Sequence, residues 1–162
     1  MAEREPLLET VGLKKHFAIN KGRWGREIGQ VRAVDGVSLN IQAGETLGIV
    51  GESGCGKTTL GRLVLNLIAP TAGQVLFAGV DISCLSAKDM RAMRRKIQII
   101  FQDPYSSLNP RMTVQKIIAQ GIVTHNLAQG KAIDDRVAQL LELVGLPTSA
   151  ARRYPHEFSG GQ

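Results

Sequence analysis

Residues 51–58 read Gly51-Glu52-Ser53-Gly54-Cys55-Gly56-Lys57-Thr58, the pattern G-x-x-x-x-G-K-[ST], whose spacing suits one chemistry: enclosing the phosphates of a nucleoside triphosphate. Such a ligand carries several negative charges on closely spaced oxygens, so its binder needs many inward-pointing donors and little side-chain bulk. Glycines at 51, 54 and 56 let the backbone curl into a nest of N–H groups, and a helix starting near Lys57 adds the partial positive charge of its N-terminus. Lys57 would reach the β and γ phosphates, and the Thr58 hydroxyl would ligate Mg²⁺. A triphosphate site is therefore expected at Gly51, Glu52, Ser53, Gly54, Cys55, Gly56, Lys57, Thr58 and Thr59. With average residue usage the fixed positions match by accident in about 0.5% of chains this long, so the motif is treated as meaningful.

The loop needs a buried strand before it and a helix after it. Residues 46–50, Thr-Leu-Gly-Ile-Val, form an apolar run of strand length entered through the turn signal Ala43-Gly44. Leu60, Leu63, Val64, Leu67 and Ile68 then recur on one helix face, with Pro70 and Gly73 closing the segment. Upstream, residues 7–13 and 33–41 have strand character, the second alternating at Val37, Leu39 and Ile41, and residues 20–30 around Trp24 read as a polar loop. Short strands are expected at 74–77 and 80–82 around Ala78-Gly79, and residues 97–101 form a β-rich run ended by Pro104, expected to be a buried strand. Beyond it the pattern turns helical. Val114, Ile117, Ile118 and Ile122 share one face, as do Ile133, Val137, Leu140, Leu141 and Val144, with Asp134 and Asp135 at the start and Gly145 and Pro147 at the stop.

Composition narrows the classes. The 162 residues are 43% hydrophobic and 21% charged, ordinary for a globular protein yet short for an α/β nucleotide-binding domain with an added subdomain. No apolar run approaches the ~18 residues of a membrane span, and the N-terminus lacks the regions of a signal peptide, so the cytosol is the expected compartment. Cys55 and Cys84 fit neither a disulfide framework nor zinc spacing. His16, His125 and His156 are scattered, and no metal-ligand or triad partners are expected for them. The net charge of +6 raises nucleic acid as a partner, and its densest source is Arg91, Arg94, Arg95 and Lys96. These follow Ser86 and Asp89, a helix N-cap and its near-capping-box partner, so a solvated helix end explains them. Aromatics are too few and too far from the charges for base stacking, and no nucleic-acid partner is expected.

The chain closes on Phe158-Ser159-Gly160-Gly161-Gln162. Ser-Gly-Gly exposes backbone donors and a hydroxyl, a second arrangement suited to a phosphate. Taken in order, the phosphate loop, Gln102 and this tract resemble the ATP-binding cassette (ABC) ATPases, with their glutamine loop, helical subdomain and L-S-G-G-Q signature; Phe158 stands at the usual Leu. The tracts Leu13-Lys14-Lys15-His16-Phe17, Ala33-Val34-Asp35-Gly36-Val37-Ser38, Phe101-Gln102-Asp103-Pro104-Tyr105, Ser107-Leu108-Asn109-Pro110-Arg111 and Arg153-Tyr154-Pro155-His156 resemble more narrowly the ATP-binding subunits of bacterial dipeptide and oligopeptide permeases. The resemblance spans the whole chain.

It implies an α/β fold with a P-loop core, an antiparallel β subdomain on the N-terminal side and a helical subdomain, the C-terminal part of the parallel sheet being absent. The expected layout is a partial nucleotide-binding domain over 1–162, with β subdomain and core at 1–103 and helical subdomain at 104–162. ATP and Mg²⁺ are the implied cofactors. Phe17 would stack on adenine, although a core phenylalanine at a strand end would read the same way. Gln102 would join Thr58 around Mg²⁺ and the attacking water, and Ser159, Gly160, Gly161 and Gln162 would face the ATP of a partner subunit. The implied partners are a second ATPase subunit in a head-to-tail dimer, two membrane permease subunits and, indirectly, a periplasmic binding protein, at the cytoplasmic face of the inner membrane.

The family's Mg²⁺-holding Asp, general-base Glu and switch His fall after the signature, and these residues contain no apolar run ending in Asp-Glu. No catalytic residue is assigned in this chain, which is expected to bind ATP and hydrolyse it negligibly, since losing a general base removes about 10²- to 10⁴-fold in rate. Exposed sheet edge and apolar surface are expected with it. A non-hydrolysing fragment, an importer ATPase for nickel or glutathione, and an ABC-type ATPase acting on DNA or ribosomes are the competing possibilities.

Overall fold

The computed structural model describes residues 5–21, 26–103 and 107–162. Trp24, Pro104 and Tyr105 lie outside the described residues. The chain divides into two compact units, Met1–Gln98 and Ile99–Gln162.

In the first unit, β1 (Leu8–Lys21) and β2 (Arg26–Ile41) pair antiparallel out to Lys21↔Arg26. This corrects the expected loop at residues 20–21 and 26–30, residues 22–25 lying outside the described residues. Ladder bonds come from backbone groups, so strand arms continue where the side chains turn polar and the hydrophobic pattern fades. β3 (Ala72–Phe77) pairs with the other side of β1, and β4 (Val80–Asp81) folds back on β3, giving the order β2-β1-β3-β4. The connecting Ala78 and Gly79 both take left-handed φ, 48° and 75°, the type I′ geometry that matches strand twist. Thr10, fully buried beside a register shift in β1, donates its hydroxyl to Val37 O (3.1 Å) and accepts from the Leu39 N–H (3.1 Å), satisfying groups that the bulge leaves open.

Helix α1 (Lys57–Val64) lays Leu60 and Leu63 into a core with Leu13, Val34, Val75 and Ile82. It ends earlier than the apolar face predicted. Asn66 turns left-handed at φ 49° and donates its amide to Ile82 O at 2.6 Å, leaving Leu67 exposed. Helix α2 (Ala87–Met93) starts as expected, Ser86 Oγ accepting from the Asp89 N–H at 3.2 Å. The basic run after it is not uniformly solvated. Arg94 is half-buried and its guanidinium donates to Leu65 O and, at 3.0 Å, to Asn66 O, capping the carbonyl end of α1.

Two expected strands are absent from the sheet. Residues 46–50 and 97–101 run without strand pairing, and although Ile97 is buried, Val50 and Ile100 are each 93% exposed. An apolar run becomes a strand only where a neighbour offers N–H and C=O groups, and β1 to β4 pair among themselves.

The second unit is helical. In α3 (Val114–Thr124) and α4 (Lys131–Leu143), Ile122, Val137 and Leu141 are buried with Ala150, and Ile118, Ile133, Leu140, Leu146 and Phe158 pack around them. Val144, expected on that face, is exposed past the helix end. There the Gly145 N–H bonds Glu142 O (3.0 Å) and the Leu146 N–H bonds Leu141 O (2.8 Å), a Schellman stop.

Candidate functional site

The phosphate-type loop sits exposed at the start of α1. Gly54 and Gly56 take φ 84° and 102°, and the loop is pinned by the Cys55 N–H bonding Glu52 O at 3.4 Å. Gly56 is the tightest position. A Cβ there would stand 2.3 Å from Ala33 O and 3.9 Å from Val34 Cγ2, so the loop–helix junction lies against β2 with no room for a side chain. Gly56 is also the N-cap of α1, whose first turn holds no acidic residue and no side-chain cap. Its first N–H groups therefore offer donors and partial positive charge with no acidic side chain in their own turn.

Lys57 folds back over the loop, its ammonium donating to Gly51 O (2.7 Å) and Glu52 O (2.6 Å), with Cys55 Sγ at 3.6 Å. A cation is thus held among the very backbone that a phosphate would contact. Thr58 is exposed one residue into the helix, and Thr59 is half-buried. Gln102 is exposed in the second unit. A hydroxyl and an amide oxygen are hard donors that suit Mg²⁺, which takes one or two protein ligands alongside phosphate and water. Among the described residues no cluster of His, Cys, Asp or Glu could hold a metal.

Phe17 is not a core residue. It lies within β1 opposite Val31, 42% exposed, with the Lys15 ammonium 5.3 Å from its ring centroid. Val31 is two residues along β2 from Ala33, so the backbone position opposite Phe17 lies about 7 Å along the strand from the Gly56 contact. His16, expected to be an ordinary surface residue with no metal-ligand or triad partner, bonds Asp35 Oδ1 at 3.1 Å, and Lys14 and Arg32 approach the same carboxylate at 3.6 and 3.5 Å. The His16 hydrogen bond leads the causes that hold the Asp35 carboxyl below its ordinary 3.8, with Lys14 and Arg32 adding to it against some desolvation. Sequence reasoning missed this cluster because the pair meets only through strand register.

In the second unit, residues 159–162 form an exposed turn: the Gln162 N–H bonds Ser159 O (3.0 Å) and the Ser159 N–H bonds Gln162 Oε1 (3.2 Å). A Cβ at Gly160 or Gly161 would meet nothing within 4 Å, so this fold places no steric demand for glycine there. Ahead of the turn, the Arg153 guanidinium stacks 4.5 Å from the Phe158 ring and donates to Glu157 O, and Glu157 Oε2 accepts the Tyr154 N–H at 2.6 Å. Beside it is an apolar cavity of about 760 Å³, lined by Ile117, Ile118, Leu146 and Phe158 among others. Among the described residues no helix is long and apolar enough to cross a membrane.

A family model described as "ABC transporter" matches residues 34–162. The oligopeptide transport ATP-binding protein AppF of Bacillus subtilis is 52% identical over 99% of this chain and 49% of its own length. OppF of the same organism is 52% identical over 98% and 50%, and the glutathione import ATP-binding protein GsiA of Salmonella typhimurium is 48% identical over 100% and 26%. Among solved structures, the dimeric ATP-binding cassette MJ0796 bound to ADP and Pi aligns at TM-score 0.77 and 25% identity, covering 96% of this chain and 64% of that one. The chain spans about half the length of AppF and OppF.

Proposed function

The chain belongs to the ABC transporter family, and from that premise we propose that residues 51–59 bind the phosphates of MgATP within the ATP-binding subunit of an importer for dipeptides or oligopeptides. One observation carries the proposal. The N-terminus of α1 is uncapped and free of acid in its first turn, and Lys57 is held over the adjoining loop by two backbone carbonyls, so backbone donors and one cation converge where a phosphate would lie. Thr58 and Gln102 would supply oxygen ligands to Mg²⁺, which neutralises phosphate charge when bound. Phe17 would carry the adenine. Ser159, Gly160, Gly161 and Gln162 would serve the ATP of a second subunit, a role supported by glycines whose lack of side chains this chain's packing does not require.

Residues 1–103 would form the β subdomain and nucleotide core and residues 104–162 the helical subdomain. The whole protein would work at the cytoplasmic face of the inner membrane, with a partner ATPase, two permease subunits and a periplasmic binding protein. Peptide cargo is supported by the names of AppF and OppF, and a glutathione importer is the second reading, favoured by the likeness to GsiA. These 162 residues would bind ATP and turn it over negligibly, for want of a general base. Titration calorimetry with MgATP tests the binding. Saturable binding that Lys57→Ala weakens about 10- to 100-fold, the loss of a charge-assisted contact worth ~1.5–3 kcal/mol, is expected, and equal binding by the variant refutes the site. Phosphate release that Lys57→Ala abolishes would refute the non-hydrolysing part.

A further inference from the structure

The face of β1 that carries Phe17 also carries Lys15, and this lysine is the better anchored of the two. Its ammonium donates to Ala69 O at 2.7 Å. Residue 69 follows the turn after α1, and that connection is sewn to β1 by the Thr71 N–H bonding Lys14 O (2.8 Å) and the His16 N–H bonding Thr71 Oγ1 (3.0 Å). The acceptor is thus fixed relative to the strand, and so is the cation above the Phe17 ring, at 5.3 Å. Lys15 pairs across the ladder with Val34, which is buried in the core beneath α1, and Phe17 pairs with Val31. The lysine therefore stands level with the strand residues that touch the phosphate loop, with the ring further along the same strand.

We propose that Lys15 is a positioning residue for the nucleotide base. It fixes the orientation of the Phe17 ring from one face and leaves the remaining exposed ring surface as a flat platform for adenine. The cation–π contact and the hydrogen bond to Ala69 act together: the bond sets where the charge is, and the charge sets which way the ring lies. An unanchored, partly exposed phenylalanine would sample several rotamers, and a base stacking on it would first have to select one. The phosphates are gripped elsewhere, by the loop and Lys57, so the effect of Lys15 should be confined to ligands that carry a base. This inference rests on the reading of Phe17 as the adenine platform.

The test compares ATP with inorganic tripolyphosphate, which has the charges and no base, by titration calorimetry on the 162-residue chain. Lys15→Met is expected to weaken ATP about 2- to 5-fold, the span of an exposed cation–π contact, and to leave tripolyphosphate unchanged, which also reports that the variant is folded. Lys15→Arg should restore ATP binding, since a guanidinium both bonds a carbonyl and lies on an aromatic face. In a Phe17→Ala background Lys15→Met should add nothing. Equal weakening of both ligands, or full additivity with Phe17→Ala, overturns the role of Lys15 alone. A Phe17→Ala variant whose preference for ATP over tripolyphosphate is unchanged rejects the platform itself, and the proposal with it.

Discussion

Substituting Gly56 by alanine separates two demands that the loop places on one residue. The first is conformational: at φ 102° an L side chain is held in left-handed space at about 1–2 kcal/mol. The second is steric, because the new Cβ lies 2.3 Å from Ala33 O and the strand or the loop must yield until that distance reaches at least 3.0 Å. Forcing atoms into such a contact costs a further ~1–3 kcal/mol, for a total of about 2–5 kcal/mol. Gly54→Ala is the matched control, since it has φ 84° and nothing within 4 Å of its Cβ and so carries the conformational cost alone. At roughly 2–4 °C per kcal/mol for a chain this long, Gly54→Ala should lower Tm by about 2–8 °C and Gly56→Ala by about 4–20 °C. The displaced junction also re-aims the first N–H groups of α1, so Gly56→Ala should lose ATP affinity by more than about tenfold, at least 1.4 kcal/mol. Scanning calorimetry and ATP titration on the two variants side by side decide the matter. Equal Tm and equal affinity for both would refute the claim that contact with β2 shapes the site.

Other consequences follow from single contacts. Asp35→Asn removes a carboxylate whose folded pKa is lowered, chiefly by His16. A lowered folded pKa means that the stabilisation is present above the ordinary 3.8 and is lost as pH falls through the folded value, so wild type should lose stability below about pH 4 more steeply than Asp35→Asn; parallel Tm curves from pH 6 to 2.5 would contradict it. Arg94→Met uncaps the carbonyls of Leu65 and Asn66 and should cost about 1.5–3 kcal/mol in urea unfolding, whereas a change under about 0.5 kcal/mol would show the cap to be idle.

How far the sequence could be read depended on whether the signal was local. The phosphate loop, the Ser86 cap, the I′ turn at Ala78 and Gly79, and the faces of α3 and α4 all depend on residues within a few positions of each other, and the structure builds them there. The runs at 46–50 and 97–101 misled for the complementary reason. Apolar content marks a segment fit to be a strand, but pairing is supplied by another segment, and β1 to β4 pair among themselves without them. Likewise the polar stretch from 26 to 30 looked like a loop until the register of β1 and β2 drew it into the ladder.

The sequence by itself determined that a glycine loop of the order Gly-x-x-x-x-Gly-Lys-Thr is present, the local covalent condition for a nest of donors ahead of a helix. Tertiary structure decided what surrounds it. Gly56 against Ala33, Lys15 tied to Ala69 above Phe17, His16 on Asp35, and Arg94 closing the far end of α1 join residues 19 to 54 positions apart. Such pairs arise only after strand register and helix docking have set which backbones lie side by side, and no periodicity in the chain records that choice.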